Sequence, residues 1–155
     1  MSMKWICVSL IIAMFAIALC ACAAEDSGSM NGTWQFCGVV ERGDECIVGN
    51  IVKGDEFRAK YGSDASMNSR LEIDDYGVKG CFENVPGTEV GDKEAISESQ
   101  FRQKITITAI DGESLKEPVV EEMLFTLKDG YLFVETTSSD SEYDLDNVNV
   151  YQKVD

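Results

Sequence analysis

The stretch MLFTLKDGYLFVET, Met123–Thr136, leaves its chain few choices. Asp-Gly accepts the positive backbone angles of a two-residue hairpin turn, whose twist matches that of the strands it joins. With Asp129 and Gly130 as the loop, Lys128 faces Tyr131, Leu127 faces Leu132, Phe125 faces Val134 and Met123 faces Thr136. Leu127, Phe125, Leu132 and Val134 then share one face, so turn chemistry and apolar pattern give the same register. A slip of one residue would put that whole set in water. The hairpin therefore belongs to a sheet with a buried face.

The same alternation recurs along the chain. From Gly32 to Val40, Trp34, Phe36, Gly38 and Val40 fall on one face, and Thr33, Gln35, Cys37 and Val39 on the other. Leu71 and Ile73 alternate with Glu72 and Asp74; DDYG then breaks the pattern, and Val78 to Glu83 resumes it. KITITAI, Lys104–Ile110, is a β-branched strand closed by Asp111-Gly112, and NVNVYQKV, Asn147–Val154, is a closing strand. GDEFRAKY, Gly54–Tyr61, predicts a short helix with Asp55 as its cap and Phe57 and Tyr61 one turn apart. Val85–Ser99, with Pro86, Gly87 and Gly91, reads as a loop, as does the acidic Ser138–Asn147. The expected fold is all-β: an antiparallel up-and-down barrel of about seven to eight strands with at most one short helix, since closure removes sheet edges.

Ahead of this body, Trp5–Ala24 carries no charge and follows Lys4, the layout of an export signal. Leu19-Cys20-Ala21-Cys22 resembles the bacterial lipobox, in which a cysteine thiol takes a diacylglyceryl group and cleavage frees its amine. Leu19 is bulky, which makes Cys20 the poorer acceptor, and Cys22 is the expected lipidation site. Two alternatives stay open. Ala21-Cys22-Ala23 also suits an ordinary secretory cleavage, and the apolar run, at ~20 residues, is long enough to stay as a spanning helix. All three place the body outside the cytoplasmic membrane. The expected organisation is a lipoprotein signal peptide over 1–21, a lipidated N-terminus and flexible tether over 22–31, and one barrel domain over 32–155, a length that suits a single core.

Removing residues 1–21 takes away one base, Lys4, and no acid, leaving 28 acidic against 12 basic residues and a formal charge of −16. Such a polyanion is repelled by nucleic acid and by anionic head groups. The expected partners are the membrane, through the lipid anchor, and a small molecule or protein of unknown identity. Histidine is absent, which excludes Ser-His-Asp and Cys-His catalysis and imidazole-ligated zinc.

The cysteines that remain, Cys37, Cys46 and Cys81, lack C-x-x-C spacing. Outside the membrane a disulfide is chemically open. Cys37 with Cys46 is the first candidate pair, across a turn near Arg42-Gly43-Asp44, and Cys81 with either is the alternative. Asp140, Glu142, Asp144 and Asp146 alternate, but Leu145 and Tyr151 stand where an EF-hand loop needs glycine and glutamate. The pairs Asp74-Asp75 and Glu121-Glu122 are neighbours in strands, so their carboxylates point to opposite faces and do not build a glycosidase cleft. No enzyme activity, cofactor or metal is expected.

NGTWQF after the lipobox, EFRAKYGSDASMNSRLEIDDYGVKG, EEMLFTLKDGYLFVE and the terminal VYQKV resemble small lipocalin-like lipoproteins of Gram-positive bacteria. Gly32 and Trp34 match the G-x-W that opens the first strand in that family, and Asp75, Gly77 and Gly80 match its D-G-x-G-like turn. The resemblance implies a meander barrel of about eight strands, with the tryptophan across its closed end and ligands entering the open one. It also implies a base of the last strand beside the tryptophan, where Lys153 stands.

Two functions compete: a tethered binding module holding a small apolar or amphipathic molecule in a cup, and a solid barrel that acts on a protein partner through its loops. A structural envelope role without a specific ligand is the third. A cup needs small side chains near one end. Gly38, Gly80 and Ala109 leave room there, whereas Trp34, Phe36, Phe82 and Phe125 remove it.

Overall fold

The computed structural model describes residues 28–62, 69–79, 85–140 and 146–154. The expected signal peptide, Cys20, Cys22, Gly80, Cys81, Phe82 and the middle of the acidic loop, 141–145, lie outside these residues. Among the described residues, no helix is long and apolar enough to cross a membrane.

The chain is all-β with one α-helix, and its antiparallel sheet curls into a half-barrel. Strands β1 (Gly32–Glu41), β2 (Val52–Lys53), β3 (Arg70–Asp74), β4 (Gly77–Lys79), β5 (Thr88–Val90), β6 (Glu94–Ser97), β7 (Gln100–Ile110), β8 (Glu113–Lys128), β9 (Tyr131–Ser138) and β10 (Asn147–Val154) form one sheet; helix α1 (Gly54–Tyr61) follows β2. The order along the sheet is β4-β3-β1-β10-β9-β8-β7-β5, with β2 added to β1 and β6 to β7. The first and last long strands are thus neighbours, and the two ends of the path, β4 and β5, are consecutive in the chain. Among the described residues, every step but that one is hydrogen-bonded.

The β8–β9 hairpin has the register read from its sequence: Lys128 opposite Tyr131, Leu127 opposite Leu132, Phe125 opposite Val134 and Met123 opposite Thr136. Asp129 and Gly130 take φ values of +53° and +78°, the positive angles that such a turn demands. Asp111 and Gly112 repeat this between β7 and β8, at +52° and +82°. α1 also matches its predicted span, and Phe57 and Tyr61 pack ring to ring at 5.1 Å. Its cap differs: the N-cap is Lys53, and Asp55 sits inside the first turn, paired with Arg58 at 3.1 Å.

β1 departs from simple alternation. Phe36 pairs with Tyr151 and Gly38 with Val150, so Cys37 is an extra residue, a β-bulge. Beyond it the faces exchange. Trp34, Phe36 and Val39 join the inner cluster with Phe57, Leu71, Ile73, Phe101, Phe125, Leu132, Val134 and Tyr151. Val40 instead joins a second, outer cluster with Ile51, Phe133, Val148 and Val150. The segment carrying a 3-10 turn at Val48–Asn50 lies across this outer face and supplies Ile51 and Cys46. β1, β9 and β10 are therefore buried on both sides, which accounts for their apolar runs: Val39-Val40, Leu132-Phe133-Val134 and Val150-Tyr151.

At the bulge the Val52 carbonyl presses on the Cα of Gly38, in the place a Cβ would take. Gly38→Ala should therefore cost roughly 1–3 kcal/mol in chemical denaturation, because backbone rather than a flexible side chain must yield. Full stability in that variant would contradict the β1–β2 approach.

The stretch Val85–Ser99, expected as a loop, holds β5 and β6. Both pair to β7, through Thr88–Ile107 and Glu94–Arg102 among others. The side chains of β6 are all exposed, so backbone pairing alone forms it and leaves no apolar period to read. β8 begins at Glu113, ten residues before the predicted hairpin, and its four residues Leu115–Pro118 stand against Thr108 alone. Pro118, which has no N–H to give, falls in that irregular stretch.

Candidate functional site

Strand directions fix two ends. At one, Trp34 pairs with Lys153 across β1 and β10. Its ring is 1% exposed, its Nε1–H donates to the Met30 carbonyl at 2.8 Å, and the Lys153 ammonium stands 5.6 Å from the ring centre. Lys153 also donates to the Ser29 carbonyl at 2.8 Å, which ties the incoming chain to the last strand. A base of β10 thus occupies the place beside the tryptophan.

The middle of the half-barrel is filled. Phe36 meets Phe57 and Tyr151 edge-on at 5.5 and 5.7 Å, and Phe101 stacks on Phe125 at 4.4 Å. Of the four residues expected to take up room, Trp34, Phe36 and Phe125 do so, and Phe82 lies outside the described residues. Gly38 opens no space, because Val52 occupies it.

Space appears at the end opposite Trp34. β7 and β8 run past the end of β9 there, with β5 paired to the other side of β7, and are joined by the Asp111-Gly112 turn. The inward residues of β7, Ile105, Ile107 and Ala109, form one wall of a hollow of about 500 Å3. Val85, Pro86 and Thr88 form the other, and Ile110 to Gly112 the rim. The two walls are tied together: the Thr108 N–H and hydroxyl both donate to the Gly87 carbonyl, at 2.7 and 3.0 Å. Gly87 has φ +81°, and a Cβ there would sit 2.6 Å from that of Ala109. Only glycine allows so close an approach. Val85 and Ile110 are 47% and 36% exposed, so the hollow has an apolar lip.

The hollow has the size of a small-molecule site and walls of the usual apolar kind. Ala109 was legible as room-giving, but Val85, Pro86, Ile107 and Asp111 carried no signal of a site. The one available clue was an apolar Val-Pro pair within a polar stretch.

The other predicted positions lie elsewhere. Cys37 and Cys46 both pack on the outer cluster, away from the hollow, and both are free thiols. The pairing expected between them is not formed: Cys37 Sγ donates to the Val150 carbonyl at 3.4 Å. Burial raises both thiols above the ordinary range, and Glu135 raises Cys46 further. Thiolate is therefore scarce at neutral pH, which makes both poor nucleophiles. Cys22 and Cys81 lie outside the described residues. Among those residues no three Cys, Asp or Glu side chains gather in a way that could hold a metal ion.

Glu41, at the far end of β1, holds α1 in place: Lys60 donates to its carboxylate, as does the Tyr61 hydroxyl at 3.3 Å. The Lys60 hydrogen bond keeps Glu41 below the usual carboxylate range. Comparison with protein families, with curated proteins and with solved structures finds no match for this chain.

Proposed function

We propose that this chain is an extracytoplasmic lipoprotein, anchored through Cys22, that binds a small apolar or amphipathic molecule and is not an enzyme. The observation that carries the reading is the apolar hollow of about 500 Å3 at the end away from Trp34. Its volume lies within the range of small-molecule sites, and its exposed lip gives a way in. Native mass spectrometry of protein recovered from its own host should show a bound small molecule. Ala109→Trp, which fills the hollow from β7, should lose it. A bare protein in both cases would overturn the reading.

The anchor has its own test. Cys22→Ala should move the protein from the detergent phase to the aqueous phase in a phase-partition assay. Unchanged membrane retention would favour a spanning helix instead.

A second reading is a protein-interaction module with a solid body. The packing of Phe36, Phe57, Phe101 and Phe125 through the middle of the half-barrel supports it, because a deep cup has no place there. On that reading Ala109→Trp would leave small-molecule content unaltered, and partner capture would depend on the loops.

A further inference from the structure

The hollow is apolar in its walls but one-sided in its charge. Asp111, on the β7–β8 turn, is the charged residue among the described residues of its lining; it is exposed and has no ion-pair partner among the described residues. The bases of β7, Arg102 and Lys104, alternate with the inward Phe101, Gln103 and Ile105, so they point to the outer face. There they are held by acids: Arg102 by Glu94 at 3.3 Å, and Lys104 by Glu122 at 3.8 Å. Lys93 lies over the Phe101 ring at 4.8 Å and donates to the Asp74 carbonyl, towards the Trp34 end. Lys116, in the irregular part of β8, is exposed and is not part of the lining. Among the described residues, a molecule in the hollow therefore meets one carboxylate and no ammonium, on a chain of formal charge −15.

We infer that the hollow selects cationic amphiphiles: an apolar body against Ile105, Ile107 and Ala109, with an ammonium group at the rim beside the Asp111 carboxylate. This rests on the reading of the hollow as a small-molecule site and adds the ligand's charge. Overall charge alone would draw cations to the whole surface, but salt at physiological strength screens that field beyond about 8 Å. A local carboxylate is what separates one apolar molecule from its charged analogue.

The test uses three probes with one apolar body: 4-phenylbutylamine, 4-phenylbutan-1-ol and 4-phenylbutyrate. Each is dialysed to equilibrium against the full chain in zwitterionic lipid nanodiscs, with empty discs subtracted. The amine should bind roughly two- to fivefold tighter than the alcohol, the span expected of one exposed ion pair, and the acid weakest. Asp111→Asn should bring the amine down to the affinity of the alcohol and leave the alcohol unchanged. Asparagine also tolerates the left-handed conformation at φ +52°, so the turn is kept.

Alcohol binding without any preference for the amine would overturn the inference while the hollow reading stands. An amine preference that survives Asp111→Asn would overturn it too, by assigning the selectivity to overall charge. Failure of all three probes to bind would remove the hollow reading, and this inference with it.

Discussion

Replacing Phe125 with alanine is expected to destabilise the domain by about 3–5 kcal/mol, the usual cost of deleting a buried ring. Phe125 is 0% exposed, faces Val134 across the hairpin, and stacks on Phe101 from the other neighbouring strand. It therefore links β8 to both neighbouring strands, β7 and β9. Its neighbours on the opposite face make the control. Glu135→Ala removes an exposed side chain, and Thr126→Ala loses one part-buried hydrogen bond from Gln100 at 2.9 Å. Each should cost no more than about 1 kcal/mol. Denaturant midpoints at unchanged m-value would measure all three. A Thr126 variant more damaged than the Phe125 variant would mean that the hairpin is shifted by one residue.

The second large effect concerns the seam between β4 and β5, where no backbone pairing joins the described residues. Gln103 is inward-facing and 3% exposed. Its Oε1 accepts from the Val78 N–H of β4 at 2.9 Å, and its Nε2 donates to the Gly91 carbonyl just after β5 at 2.8 Å. One amide side chain thus stands in for a rung of the missing ladder. Gln103→Leu keeps the bulk but strands both backbone groups, at roughly 1–3 kcal/mol for each. Amide exchange at Val78 should speed up far more than exchange in β9 and β10, because the opening is local. Equal stability of the leucine variant, or uniform exchange throughout, would show that the seam is held in another way.

The contrast between these two sites shows what the sequence made legible. The Asp129-Gly130 hairpin, the span of α1 and the last strand could all be read, because turn chemistry or a clean period marked each of them. The bulge at Cys37 could not: an inserted residue looks like any other until the partner strand β10 counts against it. It moved Val39 inward and Val40 outward, opposite to the alternation that the residues suggest.

β5 and β6 were hidden for a different reason. Their strand character comes from hydrogen bonds to β7 and not from buried side chains. The hollow was less legible still. Its lining comes from Val85–Thr88 and from β7, which meet where Gly87 and Ala109, distant in sequence, come into close approach, and no local pattern encodes such a meeting. A buried glutamine at a seam is equally silent, since its partners are backbone atoms.

The placement of Trp34 and the hollow at opposite ends also sets a direction. Met30 is buried in the inner cluster and Ser29 is bound by Lys153, so the body takes hold of the chain before the first strand starts. On a chain lipidated at Cys22, the residues 22–29 between lipid and body could span at most about 28 Å, at roughly 3.5 Å per residue. Ser29 and Met30 bring the chain to the body at the Trp34 end. The hollow would then look away from the bilayer, like a bowl set on its base, and would draw its occupant from the surroundings of the cell and not from the leaflet beneath.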